Sequence, residues 1–238
     1  EDRRPTVIPQ DQATNAIKDA PVSSASNLDA APVGSGALIS FLSIDSATGA
    51  KDAVSGDVLV GQANNSIALA ANNTPVGFRE NANVDDHRLI LPSGVSGVTS
   101  TGGNALGVNW GRWSDTYVFT ENGTELPTFG ALHYIYSDNL TTPTELAALG
   151  GLTASESYTM VGGTIPTNAA GQNAKLLGLN VTADFVNQQI TNYQIAAQDV
   201  ATGNDFALQA TSVPFGQMAS FNLNGSNCTT GCTGSAGA

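Results

Sequence analysis

The chain has 238 residues, 20 acidic against 8 basic, giving a net charge of −12, and only 12% of its residues are charged. A surface so short of cations repels phosphate backbones and anionic lipid headgroups, which argues against nucleic-acid and electrostatic membrane binding. No apolar run approaches the ~18 residues of a membrane-spanning helix, and a chain of this length buries about 70% of its unfolded surface.

Residues 1–34 show no sustained period of two or 3.6 and read as an extended arm or linker. Within it Pro5, Thr6, Val7, Ile8 and Pro9 form a short extended piece, because a residue preceding proline favours β or polyproline geometry. Such a piece can be laid on another surface as an assembly arm. The absence of an initiator Met or apolar leader before Glu1 is expected of a processed chain.

From Gly36 the texture becomes that of strands. Ala37–Ile44 and Asp57–Gln62 come first, followed by Leu106–Trp113, Thr116–Thr120, Leu132–Tyr136 and Ser157–Val161. Leu177–Phe185, Gln189–Ala197, Phe206–Ala210 and Gln217–Leu223 complete the series. The clearest alternation sets Leu177, Leu179, Val181, Ala183 and Phe185 on one face against Gly178, Asn180, Thr182 and Asp184 on the other, as in a half-buried antiparallel strand. Asn122-Gly123 and Thr202-Gly203-Asn204-Asp205 carry strong turn chemistry between strands. Thr144–Leu149 is the one helical candidate, stopped by Gly150. These features predict an all-β fold, an antiparallel β-barrel or sandwich over residues 35–238. Trp110, Trp113, Tyr134, Leu177, Leu179, Val181 and Phe185 are the expected core. Trp110 and Trp113 are three apart and face opposite sides of a strand, so one fills the interior while the other is open to solvent, beside Arg112.

The two cysteines, Cys228 and Cys232, lie in a Thr- and Gly-rich turn that a disulfide can close, worth about 2 kcal/mol. The same spacing can clip a metal, but neither His87 nor His133 is near in sequence, and the disulfide is the favoured reading. It places the chain in an oxidising compartment, secreted or at the cell surface. Material for catalysis is thin: two histidines, no Gly-x-Ser-x-Gly, and carboxylates Glu121, Glu125, Glu145 and Glu156 in turn-like segments. His87, after Asp85-Asp86, invites a metal reading because carboxylates and imidazole together suit divalent ions, and the plainer reading is a solvated polar loop. No catalytic residue, metal or cofactor is expected.

The progression Trp110-Gly111-Arg112-Trp113, His133-Tyr134, Tyr158, Gly162-Gly163-Thr164-Ile165-Pro166-Thr167 resembles the C-terminal β-barrel of secreted FecR-like proteins. Asp52–Gly61 and Leu179–Phe185 extend the resemblance from about residue 36 to the C-terminus. In that family the Cys-x3-Cys turn precedes a closing strand marked Gly-Phe-Phe-x-Gly, as in transferrin-binding-protein-B-like surface lipoproteins. This chain reads Thr233-Gly-Ser-Ala-Gly-Ala there instead. The resemblance therefore implies a barrel that is truncated or has open edges, and it carries no catalytic residues.

The sequence thus predicts a non-catalytic extracellular structural protein. Its subunits would form a homo-oligomeric filament or surface layer by strand exchange, through the arm on an open sheet edge. The alternative is a monomeric surface binding module holding a protein, iron carrier or glycan with loops 72–86 and 138–151.

Overall fold

The computed structural model describes residues 34–44, 51–60, 65–70, 74–82, 85–91, 98–103, 107–113, 117–141, 143–148, 155–159, 163–167, 172–215, 221–225 and 233–236. In chain order the strands are β1 (Gly36–Ile44), β2 (Lys51–Leu59), β3 (Ser66–Leu69), β4 (Pro75–Ala82), β5 (Asp85–Ile90), β6 (Val98–Gly103), β7 (Val108–Trp113), β8 (Val118–Glu121), β9 (Thr124–Leu126) and β10 (Thr128–Ser137). A short helix, α1 (Pro143–Ala148), separates these from β11 (Ser155–Thr159), β12 (Ala174–Asp184), β13 (Gln189–Asp199), β14 (Asp205–Ala210), β15 (Val213–Pro214), β16 (Phe221–Gly225) and β17 (Thr233–Ala236). The fold is all-β and antiparallel, as the alternation and turn chemistry predict.

The pairing forms three sheets, ordered β2-β1-β10-β7-β6, β3-β4-β5-β8-β9 and β11-β12-β13-β14-β16-β17, with β15 beside β13. Among the described residues no sheet closes on itself. The described chain gathers into two compact units: residues 34–140 with 167–172, and residues 141–166 with 173–236.

In the first unit two five-stranded sheets share one core. Alternation along β1 points Ala37, Ile39 and Phe41 inward, and β10 adds Leu132, Tyr134 and Tyr136. Ile67, Phe78, Leu89 and Phe119 meet them from the second sheet. Trp113 is fully buried, stacks on Phe78 with ring centres 5.2 Å apart, and donates its indole N–H to the Pro75 carbonyl at 3.3 Å. That donation satisfies the ring's only polar atom, and the stacked pair adds about 0.5–1.5 kcal/mol beyond burial. Gly130, at φ 72°, bends β10 where its register with β1 shifts between Ser40 and Leu42, a bulge that increases local twist.

The third sheet lies wholly in the second unit. Its cluster of Ala183, Phe185, Ile190, Ala210 and Val213 is supported by half-buried Val181, Tyr193, Ile195 and Leu208. Two hairpins set the register of its centre. After β12, the Asp184 carboxylate accepts the amides of Val186 and Asn187 at 3.0 and 3.1 Å, so this side chain shapes its own turn. After β13, Asp199 accepts the Ala201 amide at 2.9 Å and Gly203 supplies φ 72°.

Candidate interaction surfaces

The expected core residues divide between the two units. Trp113 and Tyr134 sit in the core of the first; Phe185 and Val181 belong to the third-sheet cluster. Leu177 and Leu179 are half-buried on β12, where the register with β13 shifts at Leu176/Gly178. Trp110 does point away from Trp113, opposite Ile135 in register. It is nonetheless buried at 7% exposure, so the solvent-open tryptophan expected from the sequence is not found. The exposed apolar side chain in that row is Ile135, at 50%. Pro5, Thr6, Val7, Ile8, Pro9, Cys228 and Cys232 lie outside the described residues.

A close contact between two neighbouring strands of one sheet, β7 and β10, stands out in the first unit. Gly111 faces Tyr134 in register, and the phenol ring lies directly on its backbone. A Cβ there would stand 2.6 Å from Tyr134 Cε1 and nearer still to Cζ and the hydroxyl. The glycine inside Trp-Gly-Arg-Trp is therefore a packing requirement, and an isolated Gly within a strand pattern is the signal that points to it. Burial pushes the Tyr134 phenol well above its ordinary range.

His133 occupies the opposite face of β10, between Ser40 and Arg112 in register, with Nε2 2.9 Å from the Thr167 hydroxyl. Burial, reinforced by the Arg112 cation, holds its pKa down at about 4. The imidazole is therefore neutral at neutral pH and works as a hydrogen-bonding group between β10 and Thr167. Burial likewise lowers Arg112 from its usual value.

His87 lies in β5, not in the solvated loop that its sequence neighbours suggest. It is centred in a cross-strand row with Glu80 of β4 and Glu121 of β8. Its Nε2 is 3.2 Å from Glu121 Oε1, and its Nδ1 is 3.8 Å from Glu80 Oε2. On the other face of β5, Asp86 accepts from Arg88 at 2.6 Å and from Arg79 at 2.9 Å. These guanidinium bonds, Arg88 first, lower the Asp86 pKa to about 2. The Asn122 side chain accepts the Asp86 amide and the Asn122 amide donates to the Asp86 carbonyl, each at 2.9 Å. The charged strand β5 is thus held by side-chain bonds to three neighbouring segments. The candidate loop 72–86 consequently contains the whole of β4 and the start of β5. Among the described residues no group of three or more His, Cys, Asp or Glu is arranged to hold a metal ion, and no helix is long and apolar enough to cross a membrane.

The third sheet presents two contrasting faces. Tyr158, Val181, Tyr193 and Ala210 align in register on the apolar one. Asn180, Gln194 and Gln209 share the other, and the backbone register continues their row to Thr159, Asn224 and Thr233 along the six-strand path. The row is uncharged from edge to edge. Its terminal strands, β11 and β17, each pair on one side among the described residues. Ser155, Glu156, Ser157 and Tyr158 of β11 are all exposed.

No family model, curated protein or solved structure matches the chain.

Proposed function

We propose that this chain is a non-catalytic structural subunit of an extracellular or cell-surface homo-oligomer, joined by addition of strands to exposed sheet edges. The observation that carries the reading is the third sheet, whose outer strands are short of the charges, prolines and bulges by which β proteins ordinarily block edge pairing. Among the strand residues of β11 and β17 the one charged residue is Glu156. Strand addition uses main-chain hydrogen bonds for affinity and alternate side chains for register, so it needs no pocket.

In this reading the first unit is the rigid body, two sheets that share one aromatic core. The order of motifs resembling FecR-like barrels supports a secreted placement, and a Cys228–Cys232 disulfide belongs to the same compartment. Residues 5–9 of the arm, with Val7 and Ile8 as alternate anchors, are the proposed donated strand of a second joint, at a sheet edge other than those of the third sheet. In this reading both histidines are structural, His133 held neutral against a threonine hydroxyl and His87 built into a cross-strand row.

Deletion of residues 1–12 tests the arm. Sedimentation of the full chain and the deleted chain is compared at matched concentration. Loss of pelletable assemblies with retained β circular dichroism supports the donated strand; equal assembly by the shortened chain removes the arm from the proposal.

A further inference from the structure

We infer that the third sheet runs from one copy of this chain into the next, with β17 of one copy antiparallel beside β11 of its neighbour and Thr233 opposite Thr159. The inference rests on the assembly reading above and names the surface and register of one joint.

Strand parity is the first argument. Every neighbouring pair along β11-β12-β13-β14-β16-β17 is antiparallel. Six strands is an even number, so the two outer strands run in opposite directions. A second copy shifted along the sheet therefore brings its β17 to β11 in antiparallel orientation, continuing the alternation. A single donated strand between them would force one parallel pair, which is less stable per residue. Direct pairing of the two edges is the arrangement that the topology favours, and an added arm strand then belongs on another edge.

The edges themselves give the second argument. The register of β11 with β12 runs from Ser155 to Thr159 without a shift, so the outward amide and carbonyl groups of β11 are regularly spaced. β17 reads Thr-Gly-Ser-Ala and carries no charge. Bringing these edges together desolvates no ion except Glu156, which lies on the apolar-face side of the register with Ala183.

The polar row fixes the register. It ends in Thr159 at one edge and Thr233 at the other, and Thr–Thr pairs are favoured partners across antiparallel strands. Joining these ends carries the register row of uncharged residues from one copy into the next. The same register sets Ser157 opposite Ser235 of the next copy. Such a contact is heterologous: two different edges meet, and unless a rotation closes the ring the product is an open fibre. Six strands at the ordinary spacing give a rise of about 29 Å per copy.

Charge placement tests the joint without disturbing the fold, since Ser157 is exposed and lies at the opposite edge of the sheet from residue 235. Two double variants of the full chain are compared with wild type by critical concentration in sedimentation, with circular dichroism confirming the sheet. Ser157→Lys with Ser235→Lys sets like charges opposite each other across the joint and is expected to raise the critical concentration at least about fivefold. Ser157→Lys with Ser235→Glu sets opposite charges there and is expected to assemble near the wild-type concentration. Equal assembly by both variants and wild type overturns the joint while leaving assembly itself intact. Equal loss in both overturns the register. A wild-type chain that stays monomeric at every concentration overturns the assembly reading first.

Discussion

Replacing Gly111 with alanine adds one methyl group at a place where the structure has no room for it. The new Cβ would stand 2.6 Å from Tyr134 Cε1. Separation requires the ring to move, yet Tyr134 is 3% exposed and is hemmed by Phe78 and Trp113, with ring centres at 5.6 and 6.1 Å. Overpacking of this kind costs about 1–3 kcal/mol. For a unit of this size that corresponds to a fall in melting temperature of roughly 5–15 °C. Urea unfolding followed by tryptophan fluorescence reads the change directly, because Trp113 touches the displaced ring. A double-mutant cycle with Tyr134→Val then isolates the contact: Tyr134→Val alone leaves a cavity costing about 3 kcal/mol, but the void accepts the methyl, so the pair loses less than the sum. A Gly111→Ala variant within about 0.5 kcal/mol of wild type, or strictly additive losses in the cycle, would refute the packing argument.

Asp86 supplies a pH-dependent contribution of known direction. Its folded pKa is depressed from 3.8 to about 2, so the stability it confers is present above the unfolded value and is lost as pH falls through about 2. After solvent screening, Asp86→Asn is expected to cost about 1 kcal/mol at pH 7 and nothing at the acid limit, read by urea midpoints across pH. His133 acts in another window: its folded pKa near 4 lies below the ordinary 6.5, so the unfolded chain takes up a proton that the folded one refuses. Stability therefore falls by about 2 kcal/mol as pH drops from 6.5 towards 4, and His133→Gln flattens that slope. NMR of the ring protons should show one histidine titrating near 4. Thiol titration of the denatured, unreduced chain is expected to find no free thiol; two reactive thiols would remove the proposed Cys228–Cys232 disulfide.

What the sequence disclosed follows from how each strand is stabilised. β1, β10, β12 and β13 carry enough apolar alternation to be read directly, and the Asn122-Gly123 turn has the two positive φ values, 51° and 80°, that its hairpin chemistry predicts. β4 and β5 were hidden. Their run Pro75–Ala82 opens on proline, and Asp85–Arg88 is all charged or imidazole, a pattern that local propensity assigns to a loop. Cross-strand bonds compensate: Asp86 is held by two arginines and by Asn122, and Val76, Phe78 and Leu89 anchor the two strands in buried clusters. Opposite faces for Trp110 and Trp113 predict that one of them is open, yet both are buried, since strand geometry gives a side chain's face but not what covers that face. The polar row of the third sheet was illegible for a related reason. Asn180, Gln194 and Gln209 are unremarkable one by one, and only the register, shifted by irregularities at Leu176/Gly178 and Thr182/Ala183, aligns them.

The central claim is that the chain assembles with itself. Electron microscopy of the native protein, with light scattering on the same sample over a concentration series, tests it most directly. The account predicts elongated assemblies with a subunit rise of about 29 Å and a mass that grows with concentration. A monodisperse particle that stays at the 24.2 kDa of one chain across the series would contradict it.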